Sequence, residues 1–353
     1  MSRSFSWHVE AWGGATTGVA SARRAFDRRD GLLVGLRDAD GALSFGEATP
    51  LPGFGHDQLE DAGRELEPGR LPAPVDDVAG VQAAISSFRS ASARFAVEVA
   101  LLGRLARLRG LSLSELLGAT ATTVSRSVLV GSLADDEFIE ASRTAARRGA
   151  RAVKLKATGN DLAEEARRLT ELGRALGPEV ALRLDLNGAL DVSGARVALG
   201  VYARAKVELC EEPCAGEALL LLEDCAIPWF ADESAHSDEL FGRFVAHPSC
   251  SGVVLKPTVV GGLARSLVRA RDLRRAGKDA LVTHAFEGPV ALAAVAELAL
   301  AVGGSRAHGV DRHAALGAFP SAELPQLPHQ GRPLSVIRAQ APSMVEWEGS
   351  WTH

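Results

Sequence analysis

Five charged residues stand at nearly regular intervals along the middle of this chain, each closing a short apolar segment. Lys156 follows residues 152–155, Asp185 follows 181–184, Glu211 follows 207–209, Asp232 follows 229–231 and Lys256 follows 252–255. The separations run from 21 to 29 residues, about one strand plus the crossover that a parallel neighbour needs. Two more apolar segments, 127–130 and 280–282, extend the series at either end, and amphipathic stretches such as 161–176 and 263–276 fit as helices between strands. So long a run of βα units predicts a closed barrel with its helices outside. Neither a glycine-rich dinucleotide motif nor a P-loop follows any of the strands, which argues against an open doubly wound sheet. Gly261-Gly262 reads only as a turn leading into a helix.

The region before the barrel reads differently. Residues 32–36 and 43–45 flank an Asp-Gly turn at Asp40-Gly41, a hairpin signature. A Pro/Gly-rich loop over 49–55, a helix over 58–66 and a proline-rich stretch over 68–74 follow. From Arg94 a long helix carries Phe95, Val99, Leu102 and Leu105 at helical spacing. The 353 residues are enough for one large core and a smaller one. The expected organisation is an N-terminal α+β capping domain over 1–93, a barrel over 94–317, and a tail over 318–353 that packs back on the cap.

A net charge of −5 with no basic cluster leaves no footprint for nucleic acid. The longest apolar run, 290–302, is broken by Glu297 and falls short of the roughly 20 residues of a membrane span. The first residues lack the apolar stretch of a secretory leader. A cytoplasmic protein without membrane partners is expected. Cys210, Cys214, Cys225 and Cys250 form no Cys-x-x-Cys pair and have no histidine at zinc-finger spacing, so they read as reduced, mostly buried thiols.

Charged groups at the carboxyl ends of successive barrel strands share one mouth, where barrel enzymes carry their chemistry. Asp185, Glu211 and Asp232 offer three hard oxygen ligands, which suit Mg²⁺, with Mn²⁺ as an alternative. Without a cation they would repel one another. Lys154 and Lys156, two residues apart, share one face of their strand, and Lys256 approaches from the opposite side of the cluster. A lysine beside a metal and other cations can work as a base. A metal that holds a substrate carboxylate stabilises the enediolate formed when the α-proton leaves. Any one of these residues is weak evidence; the set in order is the signal.

The motifs Lys154-Leu155-Lys156, Asp185-Leu186-Asn187, Glu211-Glu212-Pro213, Ala231-Asp232-Glu233-Ser234 and Leu255-Lys256-Pro257 together resemble those of the muconate-cycloisomerase subgroup of the enolase superfamily. The resemblance extends from about Arg29 to Asp311 and implies a modified (β/α)7β TIM-type barrel under an N-terminal α+β cap. Within that subgroup the chain resembles the o-succinylbenzoate synthase family in Arg29-Asp30-Gly31-Leu32-Leu33-Val34, Gly46-Glu47, Pro50-Leu51-Pro52-Gly53-Phe54, Leu255-Lys256-Pro257-Thr258 and Gly309-Val310-Asp311. The resemblance implies Lys156 as acid and base, Lys154 as an auxiliary cation, and Lys256 as a charge on the opposite face. It implies Asp185, Glu211 and Asp232 as metal ligands, with Glu212, Asn187 and Arg183 in support. Phe54 belongs to a loop, 51–56, expected to close over the substrate.

The implied reaction is the syn dehydration of 2-succinyl-6-hydroxy-2,4-cyclohexadiene-1-carboxylate to o-succinylbenzoate in menaquinone biosynthesis, acting on a small-molecule carboxylate. One departure concerns Thr283-His284-Ala285, where that family often carries serines; His284 is expected either to contact the succinyl carboxylate or to fill space. The alternatives within the superfamily are an N-succinylamino acid racemase and a dipeptide epimerase. The latter usually carries Asp-x-Asp where Thr283-His284-Ala285 stands. A muconate-type cycloisomerase draws no support from the capping loop. Outside enzymes, a non-catalytic barrel is disfavoured because all five catalytic positions are filled.

Overall fold

The computed structural model describes residues 5–20, 25–52, 54, 57–317 and 319. The expected packing of the tail over 318–353 and part of the 51–56 loop lie outside the described residues. The chain opens with three antiparallel strands, β1 (Ser6–Ala20), β2 (Ala25–Arg37) and β3 (Leu43–Ala48), in sheet order 1-2-3. β2 and β3 form the hairpin predicted from the Asp-Gly turn, with Arg37 opposite Leu43. β1 is a strand that the sequence does not announce, although the alternation along residues 1–14 has the period of one. Its pairing with β2 sets Trp7 opposite Leu36 and Trp12 opposite Gly31, and both tryptophans are buried.

Four helices follow: α1 (Leu59–Glu65), α2 (Val78–Ala84), α3 (Ala91–Leu108) and α4 (Leu113–Leu116). Ser90 caps α3 by accepting the N–H of Ala93. α3 lies so close to β3 that a Cβ at Gly46 would stand 1.8 Å from the Ala96 carbonyl oxygen, so only glycine fits there.

The barrel strands are β4 (Ser127–Ser132), β5 (Ala152–Lys156), β6 (Ala181–Asp185), β7 (Val207–Glu211), β8 (Trp229–Ala231), β9 (Cys250–Leu255) and β10 (Asp279–Val282). They lie in sequence order in one parallel sheet. His308 and Gly309 close it. His308 bridges to Arg126 beside β4, and Gly309 bridges to Thr283 beside β10. Backbone bonds from Ser127 N to His308 O (2.7 Å) and from Gly309 N to Val282 O (2.9 Å) secure both edges. This short eighth segment is the last β of a (β/α)7β barrel.

Between the strands run α5 (Phe138–Arg147), α6 (Leu162–Leu176), α7 (Val192–Arg204), α8 (Asp238–Ala246), the single turn α9 (Pro257–Val260), α10 (Leu263–Arg275) and α11 (Pro289–Val302). The regular alternation fails once. β7 and β8 are joined through a 3-10 turn at Gly216–Leu221 in place of a full helix. Among the described residues no helix is long and apolar enough to cross a membrane. The cysteines are free, and all but Cys225 are buried.

Inside the barrel Leu209, Phe230, Val254 and Leu281 pack together, fully buried. Each sits two residues before Glu211, Asp232, Lys256 or Thr283, one pleat below the mouth. This apolar layer closes the interior under the charged groups. Gly252 is part of the fit, since a Cβ there would meet the Phe230 ring at 2.2 Å.

Candidate active site

Asp185 and Glu211 end β6 and β7, and Asp232 directly follows β8, so adjacent strands bring the three carboxylates together. One oxygen from each lies within 4.8 Å of the others, and all three residues are buried. Three such anions in a buried pocket need positive charge among them. Two lysines supply part of it here. Lys154 donates to Glu211 and lies 3.4 Å from Asp185, while Lys256 donates to both oxygens of Asp232. The donor set is all carboxylate oxygen, which fits a hard divalent cation and no soft one.

The lysines are not equivalent. Burial disfavours the Lys154 ammonium, but Glu211, Asp185 and Asp232 outweigh it and hold its pKa above the ordinary lysine value. Lys256 is also held up: burial opposes, and Asp232 and Glu233 prevail. Lys156 goes the other way. Burial lowers it, and the charges of Lys154 and Lys256 add to that against the pull of Asp185 and Glu233. The ring of Phe54, from the cap, covers Lys256 Nζ at 4.4 Å from its centroid and packs against His236 at 4.9 Å.

The supporting residues divide into two groups. Glu212, with φ +43°, turns its carboxylate back to accept the N–H groups of Asp232 (2.7 Å) and Ser234 (3.1 Å), and so fixes the Asp232 turn. Asn187, with φ +45°, donates its N–H to Asp185 Oδ1 at 3.0 Å and its side-chain amide to Glu233 at 3.0 Å. Arg183 lines the same cavity but pairs away from the carboxylates. It donates to Glu208 at 2.6 Å and to the Ala307 carbonyl at 2.6 Å, in a network with Arg306 and Asp279 rather than with the three carboxylates. A register shift between β6 and β7 at Leu182/Arg183 accompanies this pairing.

His284 lines the cavity as a neutral ring. Burial first, then the nearby His313 and Lys154, push its pKa down to about 3. Its Nδ1 accepts the Phe286 N–H at 3.1 Å. Burial and the acceptor role of Nδ1 both favour the neutral imidazole.

Sequence reasoning misses some of the site. Glu233 lines the cavity beside Asp232, with burial and the Asp232 charge pushing its pKa up to about 7. Its Oε2 is buried without a partner among the described residues. It sits inside the Ala231–Ser234 motif and could have been found there as a second acid one residue on. Arg29 and Glu47 belong to the cap motif, yet their work is invisible in it. Arg29 donates to the carbonyls of Thr49 (3.0 Å), Pro50 (2.9 Å) and Phe286 (3.1 Å). Glu47 accepts the N–H groups of Gly288 (2.6 Å) and Ala291 (3.0 Å) at the start of α11. Together they fasten the loop leading to Phe54 onto the segment after β10.

The three carboxylates, the three lysines, Asn187, Glu233, Phe54 and His284 line one cavity of about 670 Å³. It has the size and mixed lining of a small-molecule site.

A family model described as Enolase C-terminal domain-like matches residues 137–331, more than half of the chain. The muconate cycloisomerase 1 of Rhodococcus opacus is 29% identical over 286 residues, covering 76% of each chain. The o-succinylbenzoate synthase of Klebsiella pneumoniae is 25% identical over 346 residues, covering 93% of this chain and 97% of that one. Among solved structures, the dipeptide epimerase of Methylococcus capsulatus complexed with Mg and the dipeptide L-Arg-D-Lys superposes with a TM-score of 0.78 at 26% identity, over 91% and 92% of the two chains. Relatives of comparable likeness thus carry three different activities.

Proposed function

The chain belongs to the enolase superfamily, and from that premise we propose that it is a lyase that dehydrates 2-succinyl-6-hydroxy-2,4-cyclohexadiene-1-carboxylate to o-succinylbenzoate. The observation that carries this reading is the unequal setting of two lysines on different strands of one mouth. Lys256 donates to both oxygens of Asp232 and is roofed by the Phe54 ring, a setting that favours a fixed cation. Lys156, on β5, lines the same cavity with its pKa lowered by burial and by the neighbouring cations, a setting that favours a base. One base and one fixed charge suit an elimination on a single face of the substrate. The near end-to-end match with an o-succinylbenzoate synthase supports the same reading.

In this reading Asp185, Glu211 and Asp232 hold Mg²⁺, which supplies Lewis-acid stabilisation of negative charge on the ring carboxylate. Lys156 Nζ takes the proton α to that carboxylate. The C–H electron pair becomes the new ring double bond as the C–O bond breaks, and Lys156 returns its proton to the leaving hydroxide as water. Lys256 balances charge on the far side, and Lys154 neutralises Glu211. Asn187 and Glu212 hold the ligand turns. Phe54 and the apolar layer of Leu209, Phe230, Val254 and Leu281 keep water from the reacting atoms. Residues 1–93 act as the cap, 94–317 carry the chemistry, and the enzyme works in the cytoplasm.

A second reading, N-succinylamino acid racemisation, draws on β5 and β9 each delivering a lysine to the same cavity, as two-base chemistry requires. One assay separates the two. Purified protein with Mg²⁺ is given the succinyl cyclohexadiene carboxylate, and the aromatic product is followed by absorbance. EDTA-sensitive conversion supports the dehydratase. Metal-loaded protein that leaves this substrate untouched but racemises N-succinyl amino acids would replace it with the second reading.

A further inference from the structure

Three cations of the cavity are matched to an acid. Lys154 is paired with Glu211 and Asp185, Lys256 with Asp232, and Arg183 with Glu208. Arg312 differs. It lines the same cavity, and its Nη2 donates only to the carbonyls of Gly317 (3.0 Å) and Phe319 (2.7 Å). Among the described residues no carboxylate pairs with it. The adjacent acid, Asp311, is taken by Arg126 at 2.8 Å. Burial lowers the Arg312 pKa.

Its place in the fold is equally specific. Gly309 pairs with Thr283, just past the carboxyl end of β10, so the chain at residue 312 has reached the mouth and not the floor. His313, the next residue, stacks edge-on against Phe286 at 5.3 Å, and Phe286 stands against His284 at 5.6 Å. Arg148, the other lining arginine without an acid partner among the described residues, is exposed and lies just beyond the carboxyl end of α5, which leads back to the start of β5. Arg312 is therefore a half-buried arginine at the mouth, without an acid partner among the described residues and beside an aromatic wall.

We propose that Arg312 is a specificity-determining residue that receives a second, distal carboxylate of the substrate, so that the enzyme selects dicarboxylates whose first carboxylate sits at Asp185, Glu211 and Asp232. A guanidinium with free N–H donors in a partly desolvated wall binds a carboxylate with charge-assisted, paired hydrogen bonds. The same charge repels the ammonium of a dipeptide. The assignment rests on the functional reading above for where the first carboxylate lies.

The test is calorimetric titration of Mg²⁺-loaded enzyme with o-succinylbenzoate and with its analogue bearing a terminal carboxamide. The wild type is expected to prefer the acid. Arg312→Met is expected to weaken the acid by roughly ten- to a hundredfold, the range for hydrogen bonds to a charged group, and the carboxamide by less than about twofold. Arg312→Lys should recover part of the preference, since it keeps the charge without the planar fork. Equal loss of both probes, no wild-type preference, or no binding of either probe would overturn the assignment. Should Arg312→Met not fold, the wild-type preference and the Arg312→Lys variant still decide. Acid-selective binding without dehydration of the diene would sink the proposed reaction and leave Arg312 standing.

Discussion

The ring of Phe54 stands 4.4 Å from Nζ of Lys256, so a side chain from the N-terminal cap closes over a cation from β9 of the barrel. The two residues are far apart in sequence and follow strands of different sheets. Arg29 makes the contact sturdy, because it ties Thr49 and Pro50, which lead to Phe54, to Phe286 on the barrel side. Cap and barrel thus meet directly above the acid cluster.

Replacing Phe54 by Leu keeps an apolar cover and removes the π face. A cation–π contact of about 0.5–2 kcal/mol corresponds to a fall of roughly two- to thirtyfold in kcat/KM. Magnesium affinity should not change. Steady-state kinetics beside a Mg²⁺ titration check this, and an unchanged kcat/KM would reduce Phe54 to packing.

Lys156→Ala should lower kcat by at least about a hundredfold, the usual contribution of a positioned acid–base group, with the fold intact by circular dichroism. The variant should also fail to exchange the substrate's α-proton with solvent deuterium. Exchange at the wild-type rate would assign the base elsewhere, with Lys256 the first residue to examine.

Magnesium should raise the unfolding temperature, because it binds the folded carboxylate cluster and not the unfolded chain; at a hundred times Kd the gain is about 2.7 kcal/mol. Glu211→Gln removes one of three ligands and should abolish most of that shift, while EDTA should silence the wild type reversibly. A full shift retained in Glu211→Gln would remove Glu211 from the metal site.

His308 ties acid stability to barrel closure. Its Nδ1 accepts the Val282 N–H at 3.0 Å, and its Nε2 faces the Gly303 carbonyl at 3.2 Å, so the ring is neutral with its proton on Nε2. Burial lowers its pKa from 6.5 to about 4. Between those values the unfolded chain binds more protons than the folded one, so stability is lost as pH falls, by ~2 kcal/mol at pH 5 for one such group. His308→Asn keeps an acceptor for Val282 and cannot titrate. It should be less stable than wild type at pH 7 and lose less on going to pH 5, with His284 and His313 accounting for some of what remains. Urea unfolding at the two pH values measures the difference, and equal losses would exonerate His308.

The parts of this protein that repeat are legible in the amino-acid sequence alone. Apolar segments with a charge at one end predict β5 to β9 within a residue or two. Two-residue periodicity puts Lys154 and Lys156 on one face, and helical spacing predicts α3, α6 and α10. Legibility ends where no local period exists. β1 needs β2 to reveal it as a strand, and the segment joining β7 to β8 has a helix's length but forms a 3-10 turn.

The amino-acid sequence by itself determined the run of βα units and the charged residues at five successive strand ends, because strand alternation and βα spacing are local rules that the chain carries along its length. Tertiary structure alone decided how those residues differ. Lys154 and Lys156 share a strand, yet one lies against Glu211 and the other has its pKa lowered by burial and neighbouring cations. Arg183 lines the cavity but pairs with Glu208, while Arg312 reads like any arginine and lines the cavity with no acid paired to it among the described residues. Such differences depend on distances between side chains from separate strands and from the cap. Those distances set burial, pairing and charge, and they exist only once the barrel has closed.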